Sequence, residues 1–270
     1  MAAARHSSSD LPLFRILGPL DVRLGGQPAT PAPPLLRSLL ALLLLRGGEP
    51  CSRAWLTEAL WGRHQPSDPA SSVRTSIHGL RVMPAGLAAR LQTQPEGYLF
   101  KAAEGEVDLQ LFRDLYGRGR AAWDRSEPDT AGRLLGEALQ LWREPPLADL
   151  PDTPIVTAEK GHLLSLRASA RETWLDTQLE LGRHRHIVPQ IRALIAAEPL
   201  REHARAQLIL ALYRSGDTLG AKEAYRQARA VMAEEFGASP GPELTAIHRG
   251  ILAGTKALLA GPAFSRPRRV

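Results

Sequence analysis

The residues best suited to chemistry lie between Ser71 and Arg81. Arg74 and Arg81 stand seven apart, with Ser71, Thr75 and His78 around them. On a helix turning roughly 100° per residue, Val73, Ile77 and Leu80 fall on one stripe that must face a core. Ser71, Thr75, His78 and Val82 then lie on the opposite side, with the two arginines on a flank. Such a face suits a major groove. A guanidinium fork takes guanine O6 and N7, or a phosphate, and hydroxyls reach base edges or phosphates. The same pattern also describes an amphipathic helix with a merely solvated face, and two arginines are not a strong basic patch.

Other reactive side chains lack partners in the sequence. Cys51 precedes the helix-capping Ser52 without an evident His, so a semi-buried structural thiol is expected. His184 and His186 are two apart, and i, i+2 positions on a helix do not share a face, which argues against a metal pair. No Gly-x-x-x-x-Gly-Lys-Ser/Thr phosphate loop is present. No catalytic constellation, cofactor or metal is therefore expected, and the chain is not read as an enzyme. The aromatic residues Trp123, Trp142, Trp174, Tyr213 and Tyr225 are expected in cores.

The elements that must position Arg74 and its neighbours come next. With 270 residues, 44% hydrophobic and 23% charged, the chain can build about two domains with real cores. Phe14-Arg-Ile-Leu17 and Val22-Arg-Leu24 read as short strands, and Gly25-Gly26 as a tight turn. A helix is predicted from about Pro34 to Arg46, stopped by Gly47-Gly48. A second begins after Ser52 as N-cap and ends at Gly62, with Ala54, Trp55, Ala59 and Leu60 as its apolar stripe. The third, carrying Arg74, starts at Ser67-Asp68-Pro69 and runs to about Val82, with Pro84 beyond it. Leu91-Gln-Thr-Gln94 and Tyr98-Leu-Phe-Lys101 are the arms of a hairpin around Pro95-Glu96-Gly97. Ribbon, helix, helix–turn–helix and hairpin is the order of a winged helix. The hairpin lies where a wing would, and Arg90, Gln92, Thr93, Gln94, Tyr98 and Lys101 are its candidate contacts to DNA.

Beyond residue 107 the periodicity is helical almost throughout, with helices predicted at 108–124, 128–143, 154–181, 184–197, 201–214, 217–236 and 242–254. Gly182 and Gly216 are 34 residues apart, and each ends one helix and opens another. Aligned on them, Ile187 pairs with Ala221, Ile191 with Tyr225 and Leu194 with Ala228; Ser126, Ala131, Leu135 and Ala138 repeat the same offsets. That period is the one of tetratricopeptide-like helical hairpins, although the full repeat consensus is absent and a generic bundle stays open. The fold class expected is mainly α: a winged helix-turn-helix with an N-terminal ribbon over residues 13–104, then an all-α tetratricopeptide-like domain over 107–255. Residues 1–12 and a basic tail at 256–270 are expected to be disordered. The net charge of +6 sits at the two ends of the chain, +3 in residues 1–106 and +4 in 254–270. The start carries no apolar leader, and the greasiest run, Leu35 to Leu45, is too short for a membrane span, so a cytoplasmic protein is expected, nucleoid-associated if the winged helix binds DNA.

Several stretches closely resemble the Streptomyces antibiotic regulatory protein family. They are Phe14-Arg-Ile-Leu-Gly-Pro-Leu20, Leu39-Leu-Ala-Leu-Leu-Leu-Leu45, Leu56-Thr-Glu-Ala-Leu-Trp-Gly62 and Pro95-Glu-Gly-Tyr-Leu99. Ala138-Leu-Gln-Leu-Trp-Arg-Glu-Pro-Pro-Leu-Ala-Asp-Leu150, Leu179-Glu-Leu-Gly-Arg183, Glu198-Pro-Leu-Arg-Glu202, Leu210-Ala-Leu-Tyr-Arg-Ser-Gly216 and Glu234-Glu-Phe-Gly237 resemble that family's bacterial transcriptional activation domain. The resemblance runs in order over about residues 13–255.

It implies an OmpR-type winged helix followed by a tetratricopeptide-like domain, in an activator of a secondary-metabolite gene cluster. It further implies binding to double-stranded DNA at tandem direct repeats near the −35 element, self-association as a head-to-tail pair, and contact with RNA polymerase including its sigma factor. By position, Val73-Arg-Thr-Ser-Ile-His-Gly-Leu-Arg81 is the recognition helix, with Arg74, Thr75, His78 and Arg81 on its DNA side. Two residues depart from the family pattern. Gly79 stands where Arg or Gln is common and costs the helix roughly 1 kcal/mol relative to alanine. Pro84 is expected to cut the C-terminal turn, altering DNA recognition. Both departures, and the modest charge of the first domain, suit a rival reading: a helical scaffold for another protein, with a degenerate or protein-binding winged helix. Removing residues 107–270 is expected to leave some DNA binding and to abolish activation.

Overall fold

The computed structural model describes residues 13–83, 87–255 and 257–260. The described residues divide into two compact units. One runs up to Leu115 and takes in Ala138–Leu166; the other is Tyr116–Glu137 with the chain from Arg167 onward.

In the first unit, β1 (Phe14–Arg15), β2 (Asp21–Leu24) and β3 (Gln27–Pro28) form an antiparallel ribbon. Gly25 and Gly26 join β2 to β3 with φ of 58° and 78°, as a two-residue turn of matching twist requires. Helix α1 (Pro34–Leu45) is buried all round from Ser38 to Leu45. That is why its sequence reads as a continuous apolar run and not as a stripe. After the two-residue strand β4 (Cys51–Ser52) comes α2 (Arg53–Trp61). Ser52 caps it by accepting from the Trp55 N–H at 3.1 Å, and the Gly62 N–H closes it on Glu58 O at 2.8 Å. The buried side of α2 is Leu56, Ala59 and Leu60. Ala54 is exposed, and Trp55 is half-buried beneath the Arg46 guanidinium, so the expected stripe is displaced by about one helical position.

Helix α3 (Pro69–Val82) begins at Asp68, whose carboxylate accepts from the Ser71 N–H at 2.9 Å. A short α4 (Leu87–Arg90) leads into the hairpin β5 (Leu91–Thr93) and β6 (Gly97–Phe100), and β6 also pairs with β4, giving the order β4-β6-β5. Neither α4 nor β4 is legible in the sequence, because both are shorter than the window in which periodicity emerges.

The ribbon is held by chain from far along the sequence. Asp108, buried, accepts from the Ile16 and Leu17 N–H groups at 2.8 and 2.9 Å. The Arg143 N–H donates to Leu17 O at 3.0 Å, and its guanidinium to Pro19 O at 2.7 Å. The Leu147 N–H reaches Gly18 O at 3.1 Å, with Leu147 buried at φ 53°, rarely adopted by a bulky residue. These bonds explain why helix α6 (Pro128–Gln140) stops at Gln140 and does not continue to Arg143 as its periodicity predicts. Thr153 Oγ1 donates to Ala59 O at 2.9 Å at the end of α2.

The remaining helices are α5 (Asp108–Asp124), α7 (Pro154–Glu180), α8 (His184–Ala197), α9 (Glu202–Arg214), α10 (Thr218–Phe236), α11 (Pro242–Leu252) and a short α12 (Ala257–Ala260). Within the second unit the helix-ending turns repeat one another. Ser126, Gly182 and Gly216 all have positive φ (64°, 75° and 90°). The following N–H groups donate five residues back: Glu127 to Ala122 O, Arg183 to Gln178 O and Asp217 to Leu212 O, at 3.0, 2.9 and 2.9 Å. This is the Schellman closure. At the aligned core positions Ala131, Ile187 and Ala221 are all buried, as are Leu135 and Ile191; Tyr225 is half-buried and stacks on His248. Helix α12 falls in the stretch expected as tail, with Leu258 O accepting from Arg214 at 2.8 Å. Segments 1–12 and 261–270, for which disorder is expected, lie outside the described residues.

Candidate nucleic-acid interface

Helix α3 presents its faces as its periodicity demands. Val73, Ile77 and Leu80 are buried, joined by Ser76, whose hydroxyl donates to Ser72 O at 2.9 Å and so needs no outside partner. Thr75 and His78 are exposed on the opposite side, Arg74 is exposed on the flank beside them, and Val82 beyond them is 65% exposed. Ser71 is half-buried in the first turn. A positive guanidinium, a hydroxyl, an imidazole and one methyl-bearing side chain therefore share one open surface. These groups can donate to guanine or phosphate and can contact a thymine methyl.

Gly79 has a packing reason. It faces α1, where a Cβ would stand 3.2 Å from both methyl carbons of Leu36. Its lost helix propensity is set against close approach of two helices, and it does not lie among the exposed groups of α3. Pro84 lies outside the described residues; α3 ends at Val82, with Met83 already in an extended conformation.

The hairpin differs from expectation in detail. Gln92, Thr93 and Lys101 are exposed and Gln94 is half-buried. Tyr98 is buried, with the Arg53 guanidinium over its ring at 5.6 Å. Arg90 is paired with Glu106 through Nη1 and Nη2 of its guanidinium and lies over the Phe14 ring at 5.4 Å. The hydrogen bond from Arg90 holds the Glu106 carboxyl below the usual carboxylate range. Arg90 and Tyr98 thus face inward, as structural members of the first unit, and are not displayed to a ligand. Arg81 is half-buried, and its Nη2 donates to Leu91 O at 3.1 Å and Thr93 Oγ1 at 2.9 Å. Sequence reasoning missed Arg53. Its guanidinium donates to Pro95 O at 2.9 Å and its own N–H to Glu96 O at 3.0 Å, which anchors the hairpin tip. Its position as the first residue of a predicted helix gave no hint of that.

Gly97 is fixed by the same packing, since a Cβ there would stand 1.8 Å from Cys51 O. Cys51 is fully buried, and burial pushes its thiol up to about 12, so it is protonated and unreactive at neutral pH. Among the described residues no group of three or more His, Cys, Asp or Glu side chains is arranged to hold a metal, and no helix is long and apolar enough to cross a membrane. Trp123 and Trp142 are buried; Trp174, Tyr213 and Tyr225 are half-buried.

The family model described as bacterial transcriptional activator domain matches residues 107–252. Regulatory protein DnrI of Streptomyces peucetius is 31% identical over 248 residues, spanning 88% of this chain and 91% of DnrI. The chain belongs to the Streptomyces antibiotic regulatory protein family. Regulatory protein AfsR of Streptomyces coelicolor is 36% identical over 257 residues, 94% of this chain. The matched part is 26% of AfsR, so this family member spans about a quarter of that relative. Among solved structures, Mycobacterium tuberculosis EmbR, determined in complex with a low-affinity phosphopeptide, superposes with a TM-score of 0.84 at 29% identity, covering 93% of this chain and 68% of EmbR. These relatives are regulatory proteins, and EmbR of the same organism is a transcriptional regulator.

Proposed function

We propose that this family member is a sequence-specific activator of transcription that binds double-stranded DNA through α3 and the β5–β6 hairpin. The observation that carries the reading is the open surface formed by Arg74, Thr75 and His78 on a helix whose other side is buried. Ser71 adds to that surface at the start of the helix, and Gln92, Thr93, Gln94 and Lys101 of the hairpin would meet the duplex backbone. In this reading the targets are tandem direct repeats near the −35 element of promoters in a secondary-metabolite gene cluster. Two copies bind head to tail, and repeats one helical turn apart put both on one face of the duplex. The helical region within residues 107–255 then contacts RNA polymerase and its sigma factor, and the protein works in the cytoplasm at the nucleoid.

The test is a fluorescence-anisotropy titration on promoter fragments across a salt series. Binding confined to a repeat-containing fragment, with a steep salt dependence, is expected. Arg74→Ala should weaken it and, if Arg74 meets a phosphate, lower the slope of log K against log salt by about one unit. Binding indifferent to sequence would overturn the reading and favour a protein-binding scaffold.

A further inference from the structure

Arg81 occupies the last turn of α3, yet its guanidinium is turned toward the hairpin. A single nitrogen, Nη2, donates both to the backbone carbonyl of Leu91 at 3.1 Å and to the hydroxyl of Thr93 at 2.9 Å. Both acceptors belong to β5. The tip of the same hairpin is held from the other direction by Arg53, which donates to Pro95 O at 2.9 Å. Strand β6 is fixed by its pairing with β4, whereas β5, of three residues, is the outer strand of that sheet and pairs with β6 alone. The charge-assisted anchor from Arg81 ties this outer strand to α3, and Arg53 ties the tip to α2. A helix in one groove and a hairpin on the neighbouring backbone must fit a duplex simultaneously. Their spacing then has to hold to within about half an ångström.

We propose that Arg81 is a positioning residue of the DNA-reading surface. It fixes the hairpin to the recognition helix through Leu91 and Thr93 and does not itself read a base. The proposal rests on the DNA-binding reading given above and reassigns one residue within it. Arg74 is then the guanidinium on α3 that faces DNA.

The experiment uses the full chain and a duplex that the unmodified chain selects from a randomised library. Affinity is measured across a salt series for the unmodified chain, Arg81→Met, Thr93→Val and the double variant. It is measured on the selected duplex and on its single-base-pair variants. Amide hydrogen exchange of the hairpin is followed in the free proteins. Arg81→Met is expected to weaken binding about tenfold, the scale of one lost charge-assisted hydrogen bond. The loss should be equal on every duplex, with the salt slope unchanged and with faster exchange at the Gly97 and Lys101 amides. The double variant should lose less than the product of the two single losses, because both substitutions break the same link.

A salt slope lower by about one unit would make Arg81 a phosphate contact. A loss confined to one base pair would make it a base reader. Multiplicative losses would make it independent of Thr93. Each of these overturns the proposal while leaving DNA binding intact. Failure of the unmodified chain to select any duplex would overturn the DNA-binding reading itself, and this assignment with it. If Arg81→Met does not fold, Thr93→Val still decides in the free protein: faster exchange at the Gly97 and Lys101 amides is expected, and unchanged exchange would overturn the proposal.

Discussion

The N–H of Ile16 donates to the carboxylate of Asp108 at 2.8 Å across 92 residues of chain. The Leu17 N–H shares the same carboxylate, so one buried side chain satisfies two donors that the short ribbon strand β1 leaves unpaired. Asp108→Ala would leave both N–H groups buried and unbonded, a cost of about 2 kcal/mol or more. Thermal unfolding is expected to shift down by several degrees. An unchanged midpoint would show that water replaces the carboxylate without penalty. Burial raises the Asp108 carboxyl to about 6 despite these bonds. A raised folded-state value gives stability that is present below the ordinary Asp range and is lost as pH rises through about 6. The gap between the unmodified chain and the variant should therefore narrow between pH 4 and 7.

The same stitching bears on truncation. A chain ending at residue 106 lacks Asp108, the Arg143 and Leu147 bonds to the ribbon, and the Thr153 bond to Ala59. It also loses Phe112, Trp142 and Val107 from the core. Such a fragment is expected to unfold without a cooperative transition and to bind DNA poorly. That replaces the simpler expectation that the first hundred residues bind on their own. Cooperative melting of the fragment at the temperature of the full chain would sink this.

His203, on α9, lies between Asp176 of α7 and Glu243 of α11, at 3.0 and 3.1 Å. Burial opposes its charge, but the hydrogen bonds and charges of the two carboxylates outweigh it and raise the imidazole to about 10. The stability from this cluster is fully present below the ordinary His range near 6.5 and is lost as pH rises through about 10. Chemical denaturation should show stability falling between about pH 7 and 10, with His203→Gln flattening that slope. An equal pH dependence in both proteins would exclude His203 as its source.

The repeated turns give a paired prediction. Ser126 holds a left-handed conformation that costs an L-residue about 1 kcal/mol or more, so Ser126→Gly should raise the melting temperature slightly. Gly216→Ala, at the equivalent turn, should lower stability by about 1 kcal/mol. Effects of equal sign would mean that the two turns are not equivalent.

The approximate limits and the buried side of helix α3 are legible in the sequence. Asp68-Pro69 marks its start, and Val73, Ile77 and Leu80 mark its buried side, because capping and helical period are local properties of the chain. The repeated turns at Gly182 and Gly216 were legible for the same reason. The exposed trio Arg74, Thr75 and His78 follows from that stripe alone. The hairpin lies where its turn signal puts it, with Gln92, Thr93 and Lys101 exposed, but Arg90 and Tyr98 are not. Arg90 and Tyr98 are polar residues beside a turn, which reads as exposure, and only the neighbourhood of Glu106 and Arg53 turns them inward.

The sequence by itself determined the longer helices, the caps at Ser52 and Asp68, the buried and open faces of α3, and the family. Tertiary structure decided what no local pattern encodes. Arg81 anchors the hairpin, Gly79 lets α1 approach, and Asp108 and Arg143 secure a ribbon more than ninety residues away. The division is physical. Helical period and capping arise between residues within four or five positions of one another. A buried donor, by contrast, is satisfied by whichever acceptor the fold carries to it, at any distance along the chain.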